Sequence, residues 1–448
     1  MKRLWDKGNK LDQEIHDFSV GNDPELDMHI IQHDIIASCA HAKMLESINI
    51  INKNELKKIL ASLKKLDSEI TNNKFEIAHE LEDGHTAIES YLTKEIGDAG
   101  LKIHTGRSRN DQVLVAMRLY LRTEFVEIFK LQYALANSFL KRAIEFKNTA
   151  FPGYTHMQPA MPSSVSMWTH CFAESIIESL HDGLSYINRI NLNPLGVASG
   201  FGVPLKLDRE LTTKLLDFDK TQKNPINVQN SRGKAELKFL RFCTDLSSVI
   251  EKLAFDMQIY STKEFGFIEL PVEATTGSSI MPQKRNPDVL ELLRGNTAKI
   301  RACEDEMRWV IAKLPSNYHR DFQYTKEPVI RASNVIKQQL KITDNIIKNF
   351  KINSEKIKLA MCDELFATYE VYRKVSNGMP FRDAYREVGD NIKEAKLNVK
   401  ELEKDFSSIE NSVSEEIQES SEDLESIDSN IKRWDVRLEK VKGNTFSA

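Results

Sequence analysis

The residues best equipped for chemistry fall in four polar segments. The first is His104-Thr105-Gly106-Arg107-Ser108-Arg109-Asn110-Asp111-Gln112. It places two arginines and several hydroxyl or amide side chains ahead of a long glycine-free run. Guanidinium forks and the free N–H groups of a helix start suit a carboxylate. The second, Gly153-Tyr154-Thr155-His156-Met157-Gln158-Pro159-Ala160, carries His156 in a turn, where an imidazole can act as acid or base near neutral pH. The third runs from Thr276-Gly277-Ser278-Ser279 through Gln283-Lys284-Arg285 to Asn286-Pro287-Asp288. Successive N–H groups of such a loop can cradle an anion, and its glycine suits a mobile lid. The fourth, Tyr318-His319-Arg320-Asp321-Phe322-Gln323-Tyr324-Thr325-Lys326, is dense in donors. A polar helix cap, a hydrogen-bonded structural histidine or an ordinary interhelical loop would show the same residue types. No segment alone fixes a reaction. The sequence holds no phosphate-binding glycine loop, paired cysteine ligands or His-Glu-x-x-His, which argues against nucleotide, zinc or redox chemistry.

These segments interrupt or bound long helical patterns. Arg107 to Phe151 contains neither glycine nor proline and carries apolar residues at helical spacing, including Val113, Met117, Leu121, Phe125, Ile128, Leu135 and Phe139. Asn110 or Asp111 could cap it, and Phe151-Pro152-Gly153 ends it. Further helices are expected over Ser163–Asn191, Lys234–Phe265, a stretch from Asn286-Pro287-Asp288 to about Lys313, and Glu327–Phe350. The Lys234–Phe265 segment reads as apolar around its whole circumference, which calls for burial on all sides and so for packing against other subunits. The domain reading is a helical lead-in over residues 1–105, a central long-helix bundle and oligomerisation domain over 106–350, and a helical domain over 351–448. Within the last, the Ser- and Glu-rich stretch from Ser407 to Ser429 reads as a solvated linker or frayed turn. No sustained strand alternation is present.

Composition agrees with an all-α fold. Only 18 of 448 residues are glycine and 13 are proline, about 4% glycine against a usual ~7%. The 62 basic and 66 acidic side chains leave a net charge of −4, so no nucleic-acid-binding surface covers the protein. At roughly 150 residues per domain, the length allows about three domains or one composite body. No apolar run reaches membrane-spanning length. The start, Met1 to Lys7, is charged and lacks the apolar core of a signal peptide. Five dispersed cysteines read as reduced thiols in a cytoplasmic protein.

Taken together, the four segments resemble argininosuccinate lyase, of the fumarase/aspartase superfamily. Gly277 to Pro287 looks like the superfamily signature, with Gln283 before the lysine as in the argininosuccinate branch. His104 to Gln112 is the more discriminating match, and Gly153 to Gln158 and Tyr318 to Lys326 also fit. The resemblance spans about Asp34 to Ala395. It implies a long-helix bundle flanked by two smaller helical domains, a homotetramer with active sites shared between subunits, and no cofactor or metal. The implied reaction is reversible elimination of argininosuccinate to arginine and fumarate. Ser278, His156 and Lys284 are then the catalytic residues: Ser278 the base, Lys284 a stabiliser of the enolate, His156 its partner on the leaving-group side. Asn110, Thr155, Ser279, Asn286, Arg232, Tyr318, Gln323 and Lys326 match substrate contacts. Of a family Ser-Asp-Arg-Asp run, Asn230-Ser231-Arg232-Gly233 keeps only the arginine. The Phe18–Asp23 stretch and the last ~50 residues receive no site. Two competing readings are another superfamily lyase, such as adenylosuccinate lyase, and a non-catalytic crystallin-like structural protein. Arg107-Ser108-Arg109 and Gln283 speak against the first, and retention of Ser278, His156 and Lys284 against the second.

Overall fold

A computed structural model describes residues 12–391 and 399–447. The N-terminal region contains α1 (Gln13–Val20), α2 (Ile31–Ser47), α3 (Lys53–Thr71) and α4 (Gly84–Ile96). Asn52 and Glu55 form a capping box that starts α3, satisfying N–H groups the first turn leaves free. Ile59, Leu63, Leu66 and Ile70 repeat along one face of α3 and close a local core with Ile35, Cys39, Ile88 and Leu92.

α5 (Arg109–Glu145) runs for 37 residues, about 55 Å at 1.5 Å per residue. Its cap is Ser108, whose hydroxyl accepts from the Asn110 N–H, while Asp111 accepts from the Ser108 N–H. Neither Asn110 nor Asp111 caps it; Asp111 is the reciprocal partner of the box. Beyond α5 the chain forms an antiparallel hairpin, β1 (Ala150–Thr155) and β2 (Gln158–Ser164). The expected helix ends are correspondingly shorter, and a strand pair stands where none was read.

α6 (Val165–Ile190) returns along α5, α7 (Lys234–Tyr260) runs parallel to α5, and a small hairpin, β3 (Thr276–Gly277) with β4 (Arg285–Asn286), leads into α8 (Asp288–Val310). α9 (Lys326–Asn349) completes the bundle. At its centre Phe125, Phe129, Phe239 and Phe242 meet with ring centroids 5.0–5.8 Å apart. Gly183 on α6 makes room for them: a Cβ there would lie 2.4 Å from Phe129 and 2.7 Å from Phe242.

α7 differs from its sequence reading. Phe239, Leu240, Cys243, Leu246, Ile250, Leu253 and Met257 are buried, but Arg241, Asp245 and Lys252 form an exposed stripe with Phe255. Within one chain α7 is amphipathic, not apolar all round. Exposed apolar side chains also stand on α8, where Leu292 and Trp309 are 66% and 75% exposed on the face that carries Gly295, Lys299, Ala302 and Glu306.

After three short helices between Ser354 and Asn391, α10 (Val399–Phe446) lies back on α2, α5 and α6. Ile417, Leu424, Ile427, Ile431 and Trp434 belong to the main core, and Arg437 clasps Asp217 and Asp219 at 2.5 and 2.8 Å. The Ser407–Ser429 stretch is therefore part of a bundle helix, not a linker. Glu415, Glu416, Glu419, Glu422 and Glu425 are exposed, while Ser420 turns inward to His170 at 3.0 Å.

Candidate active site

The bundle places the expected site residues in two clusters at opposite ends of the long helices. At one end, the start of α5 meets the start of α7, the 318–326 segment and the N-terminal helices. Asp23, Asp27, Asp83, His85, Arg109, Arg232, Tyr318, Arg320, Gln323 and Lys326 line one small cleft there, with half-buried Asn110 in the first turn of α5. At the other end, α7 finishes beside the β1–β2 hairpin, with Tyr260 edge-on to Phe151 at 5.0 Å and Phe265 edge-on to Tyr154 at 5.5 Å. Gln258, near the end of α7, donates to Glu291, near the start of α8. This end therefore carries Thr155, His156, Ser278, Ser279, Lys284 and Asn286. From Lys234 to Tyr260 the separation is 27 residues of helix, about 40 Å.

The first cluster mixes charges. Lys326 is 3% exposed and its ammonium lies 2.5 Å from Asp23 and 2.6 Å from Asp27. Burial disfavours that charge, but the two carboxylates outweigh it and hold the lysine pKa above its ordinary value. Lys326, matched by the resemblance to a substrate contact, is held by two aspartates, and any substrate must share it with them. Lys326→Met should remove roughly 3–5 kcal/mol of stability by stranding those buried carboxylates, read from urea unfolding. A change within about 0.5 kcal/mol would mean that they find other partners.

Arg232 is buried, donates to the Phe322 carbonyl at 3.1 Å and lies 5.3 Å from the Tyr318 ring centroid. Burial lowers its pKa. The departure at Gly233 has a steric cause: φ is +78°, and a Cβ would sit 2.3 Å from Ile311. Gln323 donates to the Ser19 and Val20 carbonyls at 3.2 and 3.0 Å, and Arg320 to Ser19 at 2.6 Å. The Phe18–Asp23 stretch therefore belongs to this cluster. Arg109 pairs with Asp83 at 2.8 Å, whereas Arg107 turns inward to Ser38. Only one of the two motif arginines reaches the cleft.

Asp27, Asp83 and His85 had no local signature, because their partners lie far away in sequence. His85 Nδ1 meets Asp34 at 2.6 Å, and Gln112 donates to both Asp34 oxygens at 3.1 Å. Burial opposes the imidazolium, but Asp34, then Asp83 and Asp27, outweigh it and raise its pKa. Such a group stabilises the fold fully below its unfolded pKa, and that contribution disappears as pH rises through the folded value. Stability in urea should therefore decline as pH is raised from about 6.5, and Asp34→Asn should flatten the decline. A wild-type slope unchanged in Asp34→Asn would assign it to other groups.

At the second cluster, Thr155 pairs with Gln158 across a two-residue turn. His156 and Met157 both have positive φ, 54° and 62°. Such hairpin turns ordinarily select Asn or Gly, so the backbone accepts strain to present His156, exposed, at the tip. The Ser278 hydroxyl accepts from the N–H groups of Ile280 at 3.3 Å and Met281 at 3.1 Å. Donors on this oxygen favour its anionic form. The loop stands clear of the body, with Ile280 86% exposed and Lys284 exposed. Its base is fixed by the β3–β4 pairing and by the Thr276 hydroxyl donating to Asp288. Among the described residues no helix is long and apolar enough to cross a membrane.

A long-helix bundle with a serine loop and a histidine hairpin at one end and a mixed-charge cleft at the other defines an all-α lyase of the fumarase/aspartase type. The lyase family model matches residues 18–302. Argininosuccinate lyase from Phocaeicola vulgatus is 40% identical over 395 residues, 88% of this chain and 89% of that protein. Its counterpart from Thermotoga neapolitana is 41% identical over 400 residues, covering 88% and 99%. In fold, the chain is similar to EDDS lyase in complex with formate (TM-score 0.79, 20% identity, 98% and 95% covered) and to class II fumarase from Schistosoma mansoni (0.74, 17%, 92% and 94%). The chain belongs to the lyase family, and within it to the argininosuccinate lyases.

Proposed function

We propose that this chain carries out the reversible elimination of argininosuccinate to arginine and fumarate, in arginine biosynthesis in the cytoplasm, as a homotetramer. The observation that carries the reading is the Ser278 loop: a half-buried serine on an exposed loop, its oxygen held by two backbone N–H groups, with a lysine six residues on and a helix start behind it. Ser278 takes the proton from the carbon beside a substrate carboxylate. The C–H electron pair passes into the developing C=C bond, and the C–N bond to the guanidine nitrogen breaks. Between these events the carboxylate carries enolate charge, which Lys284, the loop N–H groups and the positive end of α8 stabilise. His156 handles the proton on the leaving-group side.

The mixed-charge cluster suits the other half of the substrate. Arg109, Arg232 and Lys326 face Asp23, Asp27 and Asp83, a setting matched to a ligand that bears carboxylates, an ammonium and a guanidinium. Asn110, Arg232, Tyr318, Gln323 and Lys326 act there, and Thr155, Ser279 and Asn286 act beside the serine. Helices about 40 Å long separate these groups, so a complete site requires ends from different chains. The exposed Leu292 and Trp309 of α8 supply apolar contacts. Fumarate formation, followed by its ultraviolet absorbance, tests the reading with argininosuccinate and adenylosuccinate as parallel substrates. Release from argininosuccinate alone is expected; release from adenylosuccinate alone would overturn it. Light scattering should give a particle near four times 51.3 kDa.

A further inference from the structure

Beside the mixed-charge cleft, but outside it, α1 meets the turn that precedes α4. One ring nitrogen of each of His16 and His79 and a carboxylate oxygen of Asp17 all lie within 4.8 Å of one another. The His79 Nδ1 is 3.9 Å from Asp17, and the His16 Nδ1 is 3.7 Å from Glu82. The two imidazoles stand edge-on, with centroids 5.5 Å apart and an interplanar angle of 84°. We propose that His16, Asp17 and His79 form a three-residue binding site for a first-row transition-metal dication such as zinc or cobalt, with Glu82 beside His16.

The donor set decides the class. Two imidazoles with carboxylates select zinc, cobalt, nickel or copper over magnesium or calcium, which take oxygen ligands. Tetrahedral bonds of about 2.0–2.1 Å put ligand atoms roughly 3.3–3.5 Å apart, so the three donors, which lie within 4.8 Å of one another, must draw together by at most about 1.5 Å. His79 and Asp17 can supply that movement, because their side chains are 47% and 52% exposed. The same exposure gives the ion a way in. His16 is 6% exposed and fixed on α1. Glu82 has a positive φ of 68°, a conformation uncommon for a non-glycine residue that turns the chain here. Neighbouring contacts shape the site. Gln13 donates to Asp17 Oδ1 at 2.7 Å and yields to a metal or leaves Oδ2 as ligand. Arg109 lies 3.7 Å from Glu82 Oε2, and Glu82 Oε1 faces His16.

The ion would clamp α1 to the 79–82 turn. The Ser19 and Val20 carbonyls at the end of α1 hold Arg320 and Gln323 of the cleft, so the clamp anchors an N-terminal strap over that cluster while standing apart from the reacting groups. The test uses the full chain, stripped with EDTA, dialysed and titrated with Co²⁺. Calorimetry should give one equivalent per chain, with visible d–d absorption of imidazole-ligated cobalt. His79→Ala and Asp17→Asn, both at exposed positions, should each weaken binding at least about tenfold while far-ultraviolet circular dichroism stays unchanged. Zn²⁺ should raise the melting temperature of wild type and not of His79→Ala, by mass action on the folded state. Absence of saturable Co²⁺ binding, or wild-type affinity in both variants, would overturn the site. None of these readings depends on which substrate the enzyme takes.

Discussion

Ser278→Ala should lower kcat by at least about 10²–10⁴, the usual scale for loss of a general acid or base. That corresponds to ~3–5 kcal/mol of barrier at 1.36 kcal/mol per decade. The variant should fold normally. The loop is held at its base by the pairing of Thr276 with Asn286 and by Thr276 on Asp288, and Ser278 takes no part in either. What alanine removes is the oxygen that the Ile280 and Met281 N–H groups hold. KM should change little, because carboxylate binding rests on Lys284, Asn110 and the loop amides. Ser279→Ala is the control from the same exposed loop: it should raise KM more than it lowers kcat. If Ser278→Ala retains more than about a tenth of wild-type kcat, less than ~1.4 kcal/mol was at stake. The base is then another group, with His156, on its strained hairpin turn, the first candidate.

The sequence displays its long helices because α5, α6, α7, α8 and α9 lack internal prolines, apart from Pro328 in the first turn of α9, and repeat apolar residues at helical spacing. It does not display the β1–β2 hairpin, because Pro152, Gly153, Pro159 and Pro162 interrupt any alternation; only backbone pairing across the turn makes these strands. α7 is ambiguous for a different reason. Its apolar residues are numerous enough to suggest burial all round, yet within one chain Arg241, Asp245 and Lys252 fall on one exposed stripe. α10 was hidden by composition: Val413, Ile417, Leu424, Ile427, Ile431 and Trp434 form a helical seam, but serine and glutamate fill the positions between. The site was legible in proportion to how local it is. The serine loop, the histidine turn and the arginine-rich cap each fit within about a dozen residues and carry recognisable patterns. The Lys326 cluster joins residues some 300 positions apart, so Asp27, Asp83 and His85 become visible only when the N-terminal helices fold against the start of α9. The separation of the two clusters was not legible at all, since it depends on the direction in which each long helix runs.

That separation predicts activity from mixtures of inactive chains. Asn110→Asp alters the cleft end. A carboxylate in the first turn of α5 is compatible with the helix dipole, so the fold should survive, while its charge repels the substrate carboxylate that Asn110 would contact. Ser278→Ala alters the other end, about 40 Å away along α7. Each homo-oligomer should be nearly inactive, because every one of its sites carries the lesion. After subunit exchange at equal proportions, a site that draws its cleft from one chain and its serine loop from another receives both intact halves with a probability of one half times one half. Activity should therefore rise to roughly a quarter of wild type, the statistical expectation for sites built across equivalent, randomly mixed subunits. Exchange can be verified independently by mass spectrometry of differently tagged chains. If mixed oligomers form and stay as inactive as their parents, each site draws both clusters from one chain. The helices would then have to bend or the Ser278 loop reach back by tens of ångströms, which the rigid, closely packed bundle around Phe125, Phe129, Phe239 and Phe242 opposes. Recovery therefore tests the direction of the helices and the sharing of the site together, with a readout that starts near zero.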